Sequence, residues 1–144
     1  MNGQNEQQLP WDLLFPYRNI FVERRDGRGY RYQAGGAMQA FSFGPFRVIP
    51  YARLLERCGS PVRVGSRAFD LLCLLISRPG EVVSKGELMA CGWPNATVED
   101  GNLRFHICQL RRVLGERQRG TRYVMNVPGR GYCFVASVDR EAFS

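Results

Sequence analysis

The side chains that could do chemistry are concentrated in one stretch, Thr97 to Leu114, which reads TVEDGNLRFHICQLRRVL. If this stretch is a helix, one of its faces carries small, amide, aromatic and guanidinium groups and no acid after Asp100. These groups are Gly101, Asn102, Arg104, Phe105, Cys108, Gln109 and Arg112. Such a mixture is typical of a surface that reads base edges in the major groove of DNA. The alternative is an ordinary amphipathic surface helix.

The same stretch carries the signals of a helix. Thr97 followed by Asp100 resembles a capping box, with Asp in place of the usual Glu or Gln. An apolar side chain recurs at helical spacing, so that one stripe is formed by Leu103, Ile107, Leu110 and Leu114. Because the stripe would be buried, the opposite face would remain available to a partner.

The composition favours nucleic acid as that partner. The chain has 144 residues and a net charge of +7, and Lys85 is the only basic residue besides the arginines and His106. Guanidinium groups bind phosphates and guanine edges in bidentate fashion, although a basic chain can also bind an anionic membrane or simply be soluble. No apolar run approaches the roughly 20 residues of a spanning helix, and the first residues lack a signal-peptide pattern. We therefore expect a cytoplasmic protein.

The sequence contains no catalytic or metal-binding constellation. A single histidine, His106, cannot supply both a metal site and a general base. The cysteines lack metal-site spacing and are expected to be reduced, mostly packing thiols: Cys58, Cys73, Cys91, Cys108 and Cys133. The segment PGRG lies between strand-like runs and not ahead of a helix, so it does not fit a phosphate loop. We therefore expect no enzyme activity, no cofactor and no metal.

The chain divides into an N-terminal extension (1–40), a domain (41–137) and a C-terminal tail (138–144). The extension contains the apolar segment Trp11 to Val22, interrupted by Pro16, and then a segment rich in Gly and Arg. It is expected to be a flexible tail, an arm that docks on the domain or touches DNA phosphate, or an artefact of the assumed translation start.

The pattern of the domain predicts an α+β fold. Short alternating runs after Phe41 predict three or four antiparallel strands. Ser66 can cap a helix that is apolar on almost every side, as is typical of a buried central helix. Ser84 and Glu87 form a capping box for a second helix. With the Thr97 stretch as third helix, and with the runs YVMNV and YCFVA forming a hairpin around PGRG, the prediction is a winged helix-turn-helix.

Three blocks of the domain carry a resemblance to a known family: AFDLLCLLISRPGEVVSKGELMACGWP, VEDGNLRFHICQLRRVLG and YVMNVPGRGYCFVA. From about Phe41 to Ala136 the chain resembles the C-terminal effector domain of OmpR/PhoB-type winged helix-turn-helix transcription regulators. The resemblance implies sequence-specific binding of double-stranded DNA, with the recognition helix in the major groove and the wing in the minor groove. It also implies head-to-tail self-association on direct repeats and contact with RNA polymerase through the loop around Trp93 to Thr97.

In this family the domain is usually joined to a phosphoacceptor receiver, a transmembrane sensor or a large ATPase module. The 40 residues ahead of the domain are too few for a receiver. We therefore expect either a stand-alone effector or the effector fragment of a larger signal-transduction regulator. A winged-helix module that binds protein and not DNA is the remaining alternative.

The resemblance and the helix pattern together predict the contacts with DNA. Base contacts in the major groove are expected from Asn102, Arg104, Cys108 and Gln109, since glutamine pairs with adenine and arginine with guanine. Phosphate contacts are expected from Trp93, His106, Arg111, Arg112 and Arg122, and Arg130 is expected in the minor groove. The alternatives are packing of the turn for Trp93, a packed and hydrogen-bonded ring for His106, and a solvated charge or phosphate contact for Arg104. Alternatively, Arg111 or Arg112 could brace the domain by pairing with an acidic side chain, and Arg130 could simply be a solvated residue at the tip of the hairpin.

Overall fold

The structure, a computed structural model, describes residues 38–94, 96, 98–116 and 120–143. Nearly all of the predicted extension, residues 1–37, lies outside the described residues. Among the described residues the strands are β1 Met38–Phe43, β2 Phe46–Ile49, β3 Leu54–Arg57, β4 Ser60–Pro61, β5 Val82–Ser84, β6 Val124–Val127, β7 Gly131–Phe134 and β8 Asp139–Phe143. The α-helices are α1 Ser66–Ser77, α2 Lys85–Gly92 and α3 Asp100–Val113, and a 3-10 turn spans Pro50–Ala52. The predicted α+β winged helix-turn-helix is confirmed.

The larger antiparallel sheet combines the four strands that precede the helices with the last strand of the chain, in the order β4-β3-β2-β1-β8. Phe41, Val48 and Leu55 lie side by side in its register, and all three are buried. The alternating runs after Phe41 therefore form the predicted meander, and their apolar residues cover one side of the helices.

The last strand of this sheet was not predicted. Residues 138–144 were expected to be a tail, but Asp139–Phe143 forms β8 and pairs with β1 along its whole length. The Arg140 guanidinium lies over the Phe41 ring at 5.5 Å and donates a 2.6 Å hydrogen bond to the Ser77 carbonyl. These contacts fasten the strand, although its sequence, DREAF, has little apolar alternation to indicate it.

Helix α1 forms the centre of the core, as predicted, because nearly every residue from Ala68 to Ser77 is buried. The predicted Ser66 cap is wrong: Gly65 is the N-cap residue, and no side chain caps the helix. Instead the Ser66 hydroxyl accepts a 2.9 Å hydrogen bond from Arg53, whose guanidinium also pairs with Asp70 at 2.9 Å. Arg53 thus ties the first turn of α1 to the meander.

Helices α2 and α3 pack on α1. The Ser84 cap of α2 is confirmed, since its side chain accepts a 3.1 Å hydrogen bond from the Glu87 amide. The N-cap residue of α3 is Glu99, whose side chain makes no capping hydrogen bond, and the predicted cap at Thr97 lies outside the described residues. The predicted apolar stripe of α3 is fully buried at Leu103, Ile107, Leu110 and Leu114.

The wing is a three-stranded sheet in the order β5-β7-β6. An aromatic cluster joins it to the first sheet: the Phe43 ring meets the rings of Phe46, Tyr123 and Phe134 at 4.9–5.4 Å. Two of these contacts are edge-on, the arrangement that the ring quadrupole favours. The wing is therefore anchored at its base by buried aromatic rings.

Gly131 begins β7 at the point where this strand passes closest to β5. Its φ is +154°, and an added Cβ would lie 2.9 Å from the Ser84 Cα and clash with the Val83 carbonyl oxygen. By contrast, Gly129 at the tip of the wing has φ +75° and open space around its α-carbon. The glycine at 131 therefore permits strand pairing, and the glycine at 129 permits only the turn.

We expect Gly131→Ala to lower the free energy of unfolding by about 3 kcal/mol or more, because two backbones must separate. Gly129→Ala is the matched control and should cost about 1–2 kcal/mol, the price of a left-handed backbone alone. Chemical unfolding followed by circular dichroism measures both. Equal losses in the two variants would contradict the close approach of β5 and β7.

Candidate nucleic-acid interface

The open face of α3 is set by the burial of its stripe. With Leu103, Ile107 and Leu110 in the core, the residues between them point away from it. The structure leaves exposed Gly101, Asn102, Arg104, Phe105, Cys108 and Arg112, while Gln109 is half-buried. All four predicted base-contacting residues therefore lie on the accessible side of the helix, within about two turns.

Gln109 and Arg112 form a pair on this face. The Arg112 Nη1 group donates a 3.0 Å hydrogen bond to the Gln109 Oε1 oxygen. The amide nitrogen of Gln109 is not used in this bond and remains a donor, and Arg112 keeps further N–H groups that can donate to a partner. Together they offer a phosphate or a base edge a set of donors that is already held in place.

Phe105 is the most exposed large apolar side chain in the described part of the chain, at 57%. Its ring meets the His106 ring edge-on at 5.1 Å and lines a shallow cavity with Gln109 and Ala68. The predicted base contacts did not include Phe105, although the sequence already placed it on the open face. An aromatic ring this exposed is what an apolar group on a partner would cover.

Trp93 lies in the connection between α2 and α3 and is only 8% exposed. The Arg67 guanidinium lies over its ring at 5.2 Å and donates to the Gly92 carbonyl, and the His106 ring packs against it at 5.3 Å. The indole thus packs the turn between the helices. Its contact with the DNA backbone stays a prediction.

His106 is half-buried at the edge of the apolar stripe, between the rings of Trp93 and Phe105. Its Nδ1 atom lies 2.9 Å from the Asn102 carbonyl oxygen. The ring is therefore packed and hydrogen-bonded, with its orientation held by three neighbours. Its predicted phosphate contact remains a prediction.

Arg111 differs from its neighbour Arg112 because it faces the wing. Its Nε and Nη2 groups donate to the Val124 carbonyl at 3.2 and 3.0 Å, and its Nε lies 3.8 Å from Glu116. The Glu116 carboxylate in turn accepts hydrogen bonds from the amides of Tyr123 and Val124 at 2.9 and 2.8 Å. Of the two arginines, Arg111 is the one that braces the domain through an acid.

The brace also affects the Tyr123 phenol. Burial raises the pKa of Tyr123, and the negative charge of Glu116 raises it further, while Arg57 acts in the opposite direction. The phenol therefore stays neutral at physiological pH and adds no negative charge at the base of the wing.

The wing carries two of the predicted DNA contacts. Arg122 precedes β6 and Arg130 sits at the tip, and both are exposed. The Arg130 amide donates a 2.9 Å hydrogen bond to the Val127 carbonyl, which closes the turn. The backbone at Arg130 is thus fixed while its side chain remains open to a partner.

No helix in the described residues has the length and apolar character needed to span a membrane.

The comparisons with known proteins agree with this geometry. Residues 59–134, which include α1 to β7, match the family model "Transcriptional regulatory protein, C terminal". The cholera toxin transcriptional activator of Vibrio cholerae is 36% identical over 80 residues, which are 54% of this chain and 27% of that protein. The response regulator SaeR of Staphylococcus aureus is 29% identical over 129 residues, 89% of this chain and 54% of that protein. The chain thus spans about half or less of these relatives.

Solved structures show the same fold. The DNA-binding domain of CadC from E. coli superposes with a TM-score of 0.63 at 27% identity, covering 72% of this chain and 98% of that one. The DNA-binding domain of CpxR from E. coli gives 0.60 at 28% identity, covering 67% and 95%. The RstA domain of Klebsiella pneumoniae, solved in complex with the RstA box, gives 0.58 at 23% identity, covering 67% and 96%. The resemblance drawn from the three sequence blocks is confirmed.

The different roles of Arg111 and Arg112 can be tested through stability. We expect Arg111→Ala to lower the free energy of unfolding by about 2 kcal/mol, because it leaves the Glu116 carboxylate without its charged partner and the Val124 carbonyl without its donor. Arg112→Ala, on the exposed side of the same helix turn, should change stability by no more than about 0.5 kcal/mol. Urea unfolding of both variants decides it, and similar losses would mean that the brace contributes nothing.

Proposed function

The chain belongs to the family of transcriptional regulatory protein C-terminal domains, and from this membership we propose that it is a sequence-specific regulator that binds double-stranded DNA. The observation that carries the proposal is the open face of α3. Its amide, guanidinium and aromatic groups are presented to the outside by a fully buried apolar stripe. A helix with this face fits the width of the major groove, where each base pair shows a distinct pattern of donors and acceptors.

Each group on this face has a role in the proposed complex. The amides of Asn102 and Gln109 suit adenine, Arg104 suits guanine, and the Cys108 thiol packs against base edges. Arg112 and Arg122 bind phosphates, and Arg130 enters the minor groove from the tip of the wing. Arg111 holds the wing against α3, and only the N–H groups that it does not use in the brace are available to a DNA phosphate.

The relatives suggest what binding leads to. They include a transcriptional activator and a response regulator, both bacterial. We therefore propose action on transcription in the cytoplasm, with head-to-tail self-association on direct repeats and contact with RNA polymerase through the exposed part of the α2–α3 connection. Between Trp93 and Thr97, the exposed described residues are Pro94 and Ala96.

The test is a selection of bound duplexes from a random DNA pool, followed by titrations of the selected duplex at two salt concentrations. Recovery of a shared motif and a steep fall of affinity with salt support the proposal, because phosphate contacts release counterions. A winged-helix module that binds only protein would recover no motif and show no binding at either salt concentration. Two copies of the motif in direct orientation would support head-to-tail binding.

The wing can be separated from the helix through Arg130. We expect Arg130→Ala to weaken binding to every duplex and to lower the slope of log affinity against log salt by about one. Preferences that α3 reads in the major groove should not change. Any preference that is lost should be for A·T over G·C pairs beside the core site, where the minor groove is narrow and electronegative.

The control for this experiment is Arg47→Ala, which removes the same charge from the first sheet, where Arg47 pairs with Glu141 at 3.3 Å. This control separates the contact from the change in net charge. Superimposable salt titrations of the parent and Arg130→Ala would remove the wing from the interface.

Phe105 provides an atom-level test of the helix. Its exposed ring is suited to contact the C5-methyl group of thymine, the apolar group of the major groove. Replacing each thymine of the selected site by uracil removes this methyl and leaves the hydrogen-bonding pattern intact. We expect one such replacement to weaken the parent by about threefold to tenfold, in line with the burial of one methyl group.

The Phe105→Ala variant is the matched control for the uracil series. It should bind the thymine duplex more weakly than the parent and should lose nothing further on the uracil duplex. A variant that remains as sensitive to uracil as the parent would show that another side chain reads the methyl group.

A further inference from the structure

The hydrogen bond made by His106 determines which of its two ring nitrogens carries the hydrogen in the neutral form. The Nδ1 atom lies 2.9 Å from the Asn102 carbonyl oxygen. A carbonyl oxygen only accepts, so Nδ1 carries the hydrogen in this contact, and in the neutral ring Nε2 then carries a lone pair. The neutral side chain therefore presents an acceptor, and no donor, at its second nitrogen.

A DNA phosphate requires a hydrogen-bond donor at this second nitrogen. Its oxygens are acceptors with negative charge, so a neutral His106 in this tautomer has no hydrogen to give them. When the ring takes up a proton, Nε2 becomes a donor and the ring becomes cationic. The contact with a phosphate is then a charge-assisted hydrogen bond, which is about twice as strong as a neutral one.

The hydrogen bond to Asn102 and two ring contacts favour the observed orientation of the His106 ring over the flipped one. Trp93 packs against it edge-on at 5.3 Å and Phe105 at 5.1 Å. A ring flip would exchange the hydrogen bond to Asn102 for a carbon atom and leave that nitrogen without its acceptor. The ring is thus held in the orientation that puts the proton-accepting nitrogen away from its own helix.

The charged side chains that lie nearest to the His106 ring are guanidinium groups. Arg63, from the connection ahead of α1, lines the shallow cavity beside Phe105 that His106 also lines. Arg67 of α1 lies over the Trp93 ring that His106 touches. None of the residues lining that cavity carries a carboxylate: Arg63, Val64, Gly65, Ala68, Phe105, His106, Gln109 and Val113. On its own helix, Asp100 pairs with Lys85 of α2 at 3.6 Å. A phosphate placed here would bring a negative charge to a ring whose surroundings carry guanidinium groups and no free carboxylate.

We propose that His106 binds a DNA phosphate only in its protonated form, so that DNA binding by this domain is coupled to the uptake of one proton. The inference rests on the proposed function and specifies how one contact of that interface depends on pH. Because the complex then holds more protons than the free protein, affinity rises as the pH falls. For a single linked proton the gain is limited to tenfold per pH unit.

The chain makes this testable because His106 is its only histidine. Histidine is the side chain that normally changes charge between pH 5 and 8. Affinity for one selected duplex is measured by fluorescence anisotropy from pH 5.5 to 7.5 at constant ionic strength, below the range of cysteine thiols. We expect the parent to gain about threefold to tenfold per pH unit over part of this range.

His106→Gln is the matched variant, since its amide offers a neutral N–H donor at every pH. Its affinity should be independent of pH and should exceed that of the parent at pH 7.5. A methylphosphonate at the contacted phosphate should likewise abolish the pH dependence of the parent. A parent whose affinity does not change with pH, or a variant with the same slope as the parent, overturns the proposal.

A second measurement needs no variant. The imidazole of a single histidine gives one set of nitrogen resonances, so its protonation can be followed by NMR with and without DNA. We expect the midpoint of protonation to move to higher pH in the complex, and both ring nitrogens to be protonated there. Equal midpoints overturn the proposal even if DNA binds, whereas absence of DNA binding at any pH contradicts the proposed function itself.

Discussion

The burial of one stripe of α3 is the constraint on which the rest of the molecule depends. Leu103, Ile107 and Leu110 are essentially inaccessible and share a core with α1. Burying such side chains contributes about 1.5–3 kcal/mol each, far more than any solvent-exposed contact of the same helix. The helical repeat then decides the orientation of everything between them. Burial of the apolar face therefore turns the polar face, which carries no acid, outward. Hydrogen bonds made by the polar side chains are not needed to orient it.

A second constraint joins this helix to the wing. Glu116 lies just after α3, and its carboxylate accepts hydrogen bonds from the amides of Tyr123 and Val124, where β6 begins, while Arg111 donates to the Val124 carbonyl. The side chains that bind the start of β6 therefore come from the last turn of α3 and from the residues just after it. The close pass of Gly131 against β5 fixes the other strand of the hairpin. In the proposed complex a helix and a hairpin enter two neighbouring grooves, and a fixed angle between them avoids a loss of conformational entropy at each binding event.

Local sequence patterns were sufficient to predict much of this fold. They failed where contacts between residues distant in sequence determine the structure. The α3 stripe, the Ser84 cap and the hairpin are encoded within a few residues, and all were predicted correctly. Strand β8 was missed because its stability comes from pairing with β1, some hundred residues earlier, and from Arg140. The Ser66 cap failed because the helix begins one residue earlier than expected, so that Gly65 is the N-cap residue and the Ser66 hydroxyl binds Arg53. Likewise the sequence left open which of Arg111 and Arg112 is the brace, since both end the same helix and only the position of β6 distinguishes them.

The arginines show why net charge alone is a weak guide to function. Arg53, Arg67 and Arg140 bind carbonyls, a carboxylate or aromatic rings within the fold, so their charge serves the architecture. In contrast, no hydrogen bond or ion pair with another described residue holds the side chain of Arg104 or Arg130. Glu116 is the only acid between Asn102 and Phe134, and its side chain is only 12% exposed and already neutralised by Arg111. The fold therefore turns inward the one negative charge of this region, so that helix and wing present a positive surface whose strength the composition understates.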